Sequence, residues 1–352
     1  MFYKMEKKYL ISIKDSNIKF NAKNNNYSIL DSAIASNIIL PHGCKSGACG
    51  SCASKLTKGT ISNKNSELIS KNNSILLCQS FPNSKEVIIE YTSDELKILK
   101  EKNRNNFKII PKELLLQVVE NKSVTPMVKK LSLFVPPKLN FKFYPGSHMD
   151  LTYENNKLCR KYSIINSPNN SLNLESNIVS FLIVNHNRNG LSKIIHNKIK
   201  PGDLLKLKGP YATFQYKIKK DDPVIGIAGG TGISPILSIV KDLLNKNHTL
   251  NALIYLSVRN RDEILEMSTL FKLRQKYKNF SFKITLTREK KLPNNIFLNG
   301  RVNDNLQKIF KDLSTHKVLI SGSDKFVDAT YRHVLKLNAL KKNIYYEKFS
   351  EN

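Results

Sequence analysis

The sequence predicts a multidomain chain, α+β followed by α/β, and three observations carry that prediction. Before residue 98, short strands and one short helix surround three cysteines in the pattern C-x4-C-x2-C, with a fourth after a long gap. From about 108 to 218, strand-like runs recur with turn signals between them. From about 219 the period changes: apolar runs alternate with helical stretches, and the first strand-to-helix turn is rich in glycine. These read as a β-grasp domain, an antiparallel Greek-key barrel and a doubly wound parallel sheet.

The first domain spans residues 1–98. Tyr9–Ile13 and Ile18–Phe20 read as strands around a turn at Asp15-Ser16-Asn17. Ser28–Ile34 reads as a short helix with Ser28 as N-cap, and Val87–Tyr91 as a closing strand. Between them lie Cys44, Cys49 and Cys52 in PHGCKSGACGSCASKL, and Cys78 in ILLCQS. Plant-type [2Fe–2S] clusters are held with this spacing. One compact loop wraps three thiolates around the cluster and a distant strand end supplies the fourth. Gly43, Gly47 and Gly50 let the backbone pass close to the sulfides. Zinc would usually show two C-x2-C knuckles, and only Cys49 and Cys52 form one. Disulfides need an oxidising compartment, for which no targeting signal is read. His42, just before the loop, is expected to be solvated.

The charged stretch ELKILKEKNRNNF near 95–107 reads as a linker, set at 99–107. The barrel follows, at 108–218. Its strands are expected at Glu113–Val119, Val128–Phe134, His148–Tyr153, Tyr162–Ile165, Ile178–Val184 and Leu204–Lys208. Arg160-Lys161-Tyr162-Ser163 opens one of them. A flavin needs a cation near its phosphate, a π surface against its ring and a hydrogen-bonding group near N5. Arg160, Tyr162 and Ser163 can supply all three. Gly190-Leu191-Ser192 can open a helix whose first amides would hold a pyrophosphate. His148 reads as a satisfied structural histidine, and Cys159 as a buried small apolar residue.

The third domain, 219–352, opens with the apolar run Val224–Ala228. Gly229-Gly230-Thr231-Gly232 and a helix over Ser234–Leu244 follow. Glycines let a dinucleotide approach the backbone, and the following helix N-terminus faces its phosphates. Further strands are expected at Leu253–Ser257, Phe282–Leu286 and Lys317–Ser321. Ser321-Gly322-Ser323 reads as a second loop at the same sheet edge.

The formal charge of +29 has the size of a nucleic-acid footprint. Its excess is mostly lysine, spread over the whole chain, and no basic run is interleaved with aromatics. No nucleic-acid function is therefore expected, although a basic surface would steer an acidic protein partner. No apolar run reaches the ~18 residues that a spanning helix needs. The N-terminal MFYKMEKKYLISIKD shows no secretory leader, so a reducing cytoplasm is expected.

The four-cysteine set, R-x-Y-S, Gly202-Asp203 with Gly209-Pro210, GGTGISP and an aromatic near the C-terminus resemble one family across nearly the whole chain. It is the ferredoxin–NADP⁺ reductase superfamily, in the iron–sulfur flavoprotein branch with an N-terminal plant-type ferredoxin domain. The resemblance implies that the four cysteines hold the cluster. Arg160, Tyr162 and Ser163 would contact FAD, with Ser163 nearest N5 and, with Tyr162, at the catalytic centre. Gly190 and Ser192 would lie by the pyrophosphate, and Gly230, Thr231, Gly232 and Gly322 by the nicotinamide dinucleotide. Phe349 would cover the flavin or cap a strand. Lys161 stands where the family usually has proline, and Ser321 where it often has cysteine.

The chain thus reads as an NAD(P)H-dependent reductase, expected as a monomer, passing electrons through FAD and the cluster to an acceptor protein. The acceptor is expected to be the dehydratase of deoxysugar synthesis, with an aromatic-ring oxygenase component as the alternative. A non-enzymatic iron–sulfur sensor would keep the cysteines but need no dinucleotide loop. Arg259 and Arg261, at the end of the second sheet strand, could bind a 2′-phosphate. Asp262 and Glu263 follow at once and would repel it, so NADH is expected over NADPH.

Overall fold

The computed structural model describes residues 9–22, 26–36, 38–42, 47, 50–104, 109–153, 158–168, 177–185, 190–289, 292 and 296–349. The chain forms two units, Met1–Ile110 and Pro111–Glu351.

The first unit runs β1 (Tyr9–Ile13), β2 (Lys19–Ala22), α1 (Ile29–Ala35), β3 (Ala53–Lys58), β4 (Ile61–Asn63), β5 (Leu68–Ile69), β6 (Ser74–Leu76), β7 (Ser80–Pro82), β8 (Glu86–Glu90) and α2 (Ser93–Arg104). Its main sheet has the order β2-β1-β8-β3-β6, with β1 and β8 parallel at the centre. That is the expected β-grasp. Ser28 caps α1, its hydroxyl accepting the Asp31 N–H at 3.0 Å. Ile29, Leu30 and Ala33 of α1 share one core with Ile11, Ile13, Leu56, Val87 and Ile89 of the sheet.

The stretch expected to be a linker is mostly α2. Thr92 and Glu95 form a capping box: the Thr92 N–H donates to Glu95 Oε2 at 2.9 Å, and the Glu95 N–H to Thr92 Oγ1 at 3.4 Å. Leu99 is fully buried in the first core. Asn103 exchanges hydrogen bonds of 3.1 Å with both backbone groups of Ile39. The helix therefore braces the segment that leads into the cysteine loop.

The second unit holds two sheets. Its antiparallel sheet comprises β9 (Lys112–Thr125), β10 (Val128–Phe134), β11 (His148–Tyr153), β12 (Leu158–Ser163), β13 (Ile178–Val184) and β14 (Leu204–Tyr211), in the order β12-β11-β14-β9-β10-β13. Helix α3 (Leu191–Asn197) precedes β14. The sheet curls so that its edges approach, with the Ile165 N–H donating to Ser180 O at 3.1 Å. Leu116, Leu131, Met149, Phe181 and Leu207 fill the interior.

The parallel sheet comprises β15 (Val224–Gly229), β16 (Ala252–Val258), β17 (Phe280–Leu286), β18 (Phe297–Asn299), β19 (Lys317–Ser323) and β20 (Ile344–Phe349). Helices α4 (Ile233–Lys246), α5 (Met267–Lys276), α6 (Val302–Ile309) and α7 (Asp324–Lys336) connect them. The order β18-β17-β16-β15-β19-β20 reverses between β15 and β19. Val224 and Ala228 of β15 pack in one core with α4 and α5, while Ile225 and Ile227 pack in another with α6 and α7. Alternate residues on opposite faces, each covered by helices, make the sheet doubly wound. The barrel holds α4 in place: Ser238 Oγ accepts the Gly146 N–H at 3.2 Å and donates to Asn166 O at 2.6 Å. Among the described residues no helix is long and apolar enough to cross a membrane.

Candidate functional site

Cys44 and Cys49 lie outside the described residues. Cys52 leads into β3, and Cys78 sits in a single 3-10 turn, Leu77–Gln79. The Leu77 N–H donates to Cys52 O at 3.1 Å and so brings the two together. Their sulfurs are 3.3 Å apart, far outside a ~2.05 Å disulfide bond. Both thiols are nearly buried. Two such sulfurs fit as ligands of one metal centre. Gln79 Nε2 lies 3.9 Å from Cys78 Sγ. A Cβ on Gly47, whose φ is +87°, would meet Gln79 Cγ at 3.0 Å. The backbone at residue 47 thus favours glycine, and an added Cβ would need the Gln79 side chain to give way. His42 departs from the solvated position expected of it. It is buried, with Nδ1 2.8 Å from Leu40 O.

In the second unit β12 is an edge strand. Arg160 is exposed there and Tyr162 half-buried. By the pleat they share one face, and Ser163, the last residue, points to the other. Burial holds the Tyr162 phenol well above its ordinary range, so it stays neutral. Cys159, expected to be buried, is exposed, because an edge strand has an uncovered side. Gly190 caps α3; among the described residues, its chain neighbours aside, no atom lies within 4 Å of where its Cβ would be, and Ser192 lies in the first turn.

The two glycine loops meet at the switch point of the parallel sheet. β15 ends in Gly229, a 3-10 turn spans Gly230–Gly232, and α4 starts at Ile233. A Cβ on Gly232 would lie 2.2 Å from Ser321 O, so the first loop touches the backbone of the second. Phe326 packs beneath both, at 2.9 Å from a Cβ on Gly229 and 2.8 Å from one on Gly322. Dinucleotides bind in this crevice of doubly wound sheets. Gly230 and Thr231 line the turn, as the sequence predicts.

Arg259 and Arg261 follow β16, and each guanidinium is paired with a carboxylate. Arg259 Nε contacts Glu263 Oε1 at 2.9 Å. The Arg261 backbone N–H and Nε contact the two oxygens of Glu289, each at 2.6 Å. Those contacts hold the Glu289 carboxyl below its ordinary range. Glu263, expected to repel a phosphate, instead partners Arg259, and Glu289 is a participant the sequence did not reveal.

The sequence also gave no sign of Glu347. It lies on β20, opposite Ser321 and two residues before Phe349, which pairs with Ser323. Its carboxylate reaches the barrel: Ser163 Oγ donates to Oε2 at 3.4 Å, and Thr213 Oγ1 donates to Oε1 at 2.7 Å. Burial pushes the Glu347 carboxyl up to about 7, against the pull of those two hydroxyls and of Lys161. That carboxyl thus adjoins the Ser163 hydroxyl, which the family resemblance would place nearest N5.

Comparisons with known proteins agree with this layout. The 2Fe-2S iron-sulfur cluster binding domain matches residues 11–83. The oxidoreductase FAD-binding domain matches 115–216, and the oxidoreductase NAD-binding domain 227–332. The chain is 28% identical to reductase component 1 of terephthalate 1,2-dioxygenase from Comamonas sp, over 97% of each protein. It is 32% identical to the CDP-6-deoxy-L-threo-D-glycero-4-hexulose-3-dehydrase reductase of Yersinia pseudotuberculosis, over 65% of each. In fold it matches the crystal structure of the Amycolatopsis cytochrome P450 reductase GcoB, with a TM-score of 0.79 and 17% identity over 97% of this chain and 99% of that one.

Proposed function

We propose an acceptor and a preferred coenzyme for this chain, which belongs to the ferredoxin–NADP⁺ reductase superfamily, in the branch with a fused plant-type [2Fe–2S] domain. It is an NAD(P)H-dependent iron–sulfur flavoprotein oxidoreductase, with domains for the cluster, FAD and the nicotinamide. Bound FAD accepts a hydride and releases its two electrons singly, which is what connects a nicotinamide to a one-electron cluster. The observation that carries hydride transfer is the Ser163–Glu347 contact. It joins the end of the R-x-Y-S strand to the strand beside the second glycine loop. The loops would orient the dinucleotide, Tyr162 and Ser163 would hold the flavin, and Arg160 would face its phosphates. Anaerobically purified protein is expected to contain one [2Fe–2S] cluster and one FAD per chain. About one zinc without acid-labile sulfide would rule out the cluster. FMN in place of FAD would remove the role of Gly190 and Ser192.

The proposed acceptor is the 3-dehydrase acting on a CDP-6-deoxy-4-hexulose, supported by 32% identity to its reductase. The oxygenase alternative is supported by the match to an oxygenase reductase over 97% of both chains. Thiolates destined for iron suit a reducing, cytoplasmic setting. Supplying the purified protein and NADH to each purified acceptor tests the choice. Turnover of the nucleotide sugar is expected with the dehydrase, and reduction of an oxygenase component alone would reverse the assignment.

NADH is the proposed coenzyme because Glu263 and Glu289 already occupy the two arginines that would bind a 2′-phosphate. Wild-type kcat/KM is expected to favour NADH. The double variant Glu263→Gln, Glu289→Gln should raise kcat/KM for NADPH about tenfold by freeing both guanidinium groups. A wild-type preference for NADPH that Arg259→Ala abolishes would refute the reading.

A further inference from the structure

The pleat of β10 turns Leu131 and Leu133 into the barrel interior and Val128 and Lys130 to its outer face. That face packs on the parallel sheet through apolar residues: Val128, and Leu182 opposite Lys130 on β13, belong to the core built on β16, α4 and α5. Lys130 stands among them, and its Nζ reaches Glu266 Oε1 at 3.1 Å. The other carboxylate oxygen accepts from Thr269 Oγ1 at 2.6 Å. The Glu266 side chain is only 10% exposed. Its neighbours Leu265 and Met267 pack in or against the same core. Glu266 also holds a φ of +56°, a left-handed backbone that costs a residue other than glycine ~1–3 kcal/mol and that asparagine adopts more readily. A half-buried ion pair adds little stability where apolar side chains would pack as well. Neither the strain nor the pair is therefore explained by stability. What the pair adds is direction: an apolar contact can slide, whereas an ammonium and a carboxylate meet at one place.

We propose that Glu266, through Lys130, is a positioning residue for hydride transfer: the pair fixes residues 259–266, between β16 and α5, against the barrel wall. The proposal rests on the reductase reading above. Residues 259–266 follow the strand end where the adenosine ribose of a dinucleotide would lie. A bound coenzyme would reach from there to the flavin on the barrel, so its two ends would rest on different sheets. The approach of the nicotinamide to the flavin then depends on how firmly that loop is held to the barrel. Ser238 ties α4 to the barrel behind the first glycine loop. The Lys130–Glu266 pair does the same for the far end of the coenzyme. Glu266 is thus kept in a strained conformation for the sake of its carboxylate, and Lys130 is kept in an apolar contact for the sake of its charge.

Variants of the full-length holoenzyme test the role. Glu266→Asn suits the left-handed backbone but is too short and uncharged to hold Lys130. Lys130→Met keeps the apolar stem and removes the charge. Stopped-flow flavin reduction by saturating NADH reads the orientation of the bound coenzyme. Calorimetric binding of ADP-ribose, which lacks the nicotinamide, reads the nicotinamide domain alone. The limiting rate of flavin reduction is expected to fall about tenfold in each variant, within the ~100-fold that a 1 Å misplacement costs. ADP-ribose affinity should stay within about twofold of wild type, and the Tm of Glu266→Asn close to it, because relief of strain offsets the lost pair. The double variant Lys130→Glu, Glu266→Lys should recover most of the rate. A wild-type limiting rate in both single variants would overturn the proposal and leave the pair an incidental contact. A loss of ADP-ribose affinity in step with the rate would place the defect inside the loop and overturn it too. A double variant no faster than the single ones would refute the pairing. Should Lys130→Met fail to fold, Glu266→Asn and the double variant still decide. Flavin reduction by NADH in the wild type is measured first, so a failure of the reductase reading shows there and not in the variants.

Discussion

Cys78→Ser is expected to abolish electron delivery to one-electron acceptors such as cytochrome c, while NADH still reduces the flavin. Serine has nearly the shape of cysteine, and Cys78 is a small buried group in the first core, so the fold should survive. What is lost is a sulfur 3.3 Å from that of Cys52, and with it one of the four ligands proposed for the cluster. The FAD and nicotinamide domains lie in the other unit, from Pro111 onward, with their own cores. Stopped-flow reduction of the flavin should therefore stay within about twofold of wild type, and cytochrome c reduction should fall by at least 100-fold, ~2.7 kcal/mol. Cys159→Ser is the control: that thiol is exposed on an edge strand and its loss should leave both steps unchanged. A parallel fall in both rates for Cys78→Ser would refute the modular reading.

What the sequence revealed and what it hid divide along physical lines. Val128–Phe134, His148–Tyr153 and Ile178–Val184 are strands at the predicted bounds, because each is a short β-rich run bounded by turns, a purely local signal. The helix Ser93–Arg104 was hidden behind its charges. Its local signals were the Thr92–Glu95 box and a single buried leucine, and charge counting outweighed both. The partners of the site were hidden for a different reason. Glu347 reaches Ser163 across 184 positions of sequence and Thr213 across 134. That meeting exists only once β20 joins the sheet edge beside the barrel. Glu289 meets Arg261 across 28 positions, a distance fixed by the parallel register of β16 and β17. Cysteines and glycine loops carry their chemistry in local spacing and are legible. A carboxylate gains a role from what faces it.

Gly232 shows how much a local motif can still leave to tertiary structure. Its φ of −57° is one any residue adopts, so glycine is not required there by backbone conformation. It is required by space: an added Cβ would lie 2.2 Å from Ser321 O, 2.6 Å from Ser321 C and 2.9 Å from Gly322 N. All three are backbone atoms of the facing loop and cannot rotate away. Gly232→Ala must push the two loops apart at the switch point, by about 1 Å to reach ordinary contact. The crevice that would hold the dinucleotide is then widened and its amides misaligned. Misplacement of that size costs about 100-fold in a well-oriented reaction, so kcat/KM for NADH should fall by that factor, ~2.7 kcal/mol. FAD and cluster content should be unchanged, since neither the barrel nor the first unit contains the loop. Gly230→Ala separates space from conformation. Its φ is +53°, yet among the described residues nothing beyond its chain neighbours lies within 4 Å of the added atom, so it should cost only the ~1–3 kcal/mol of a left-handed residue, read as a lower Tm, and keep most NADH turnover. Wild-type NADH kinetics in Gly232→Ala would show that the two loops do not form the coenzyme site together.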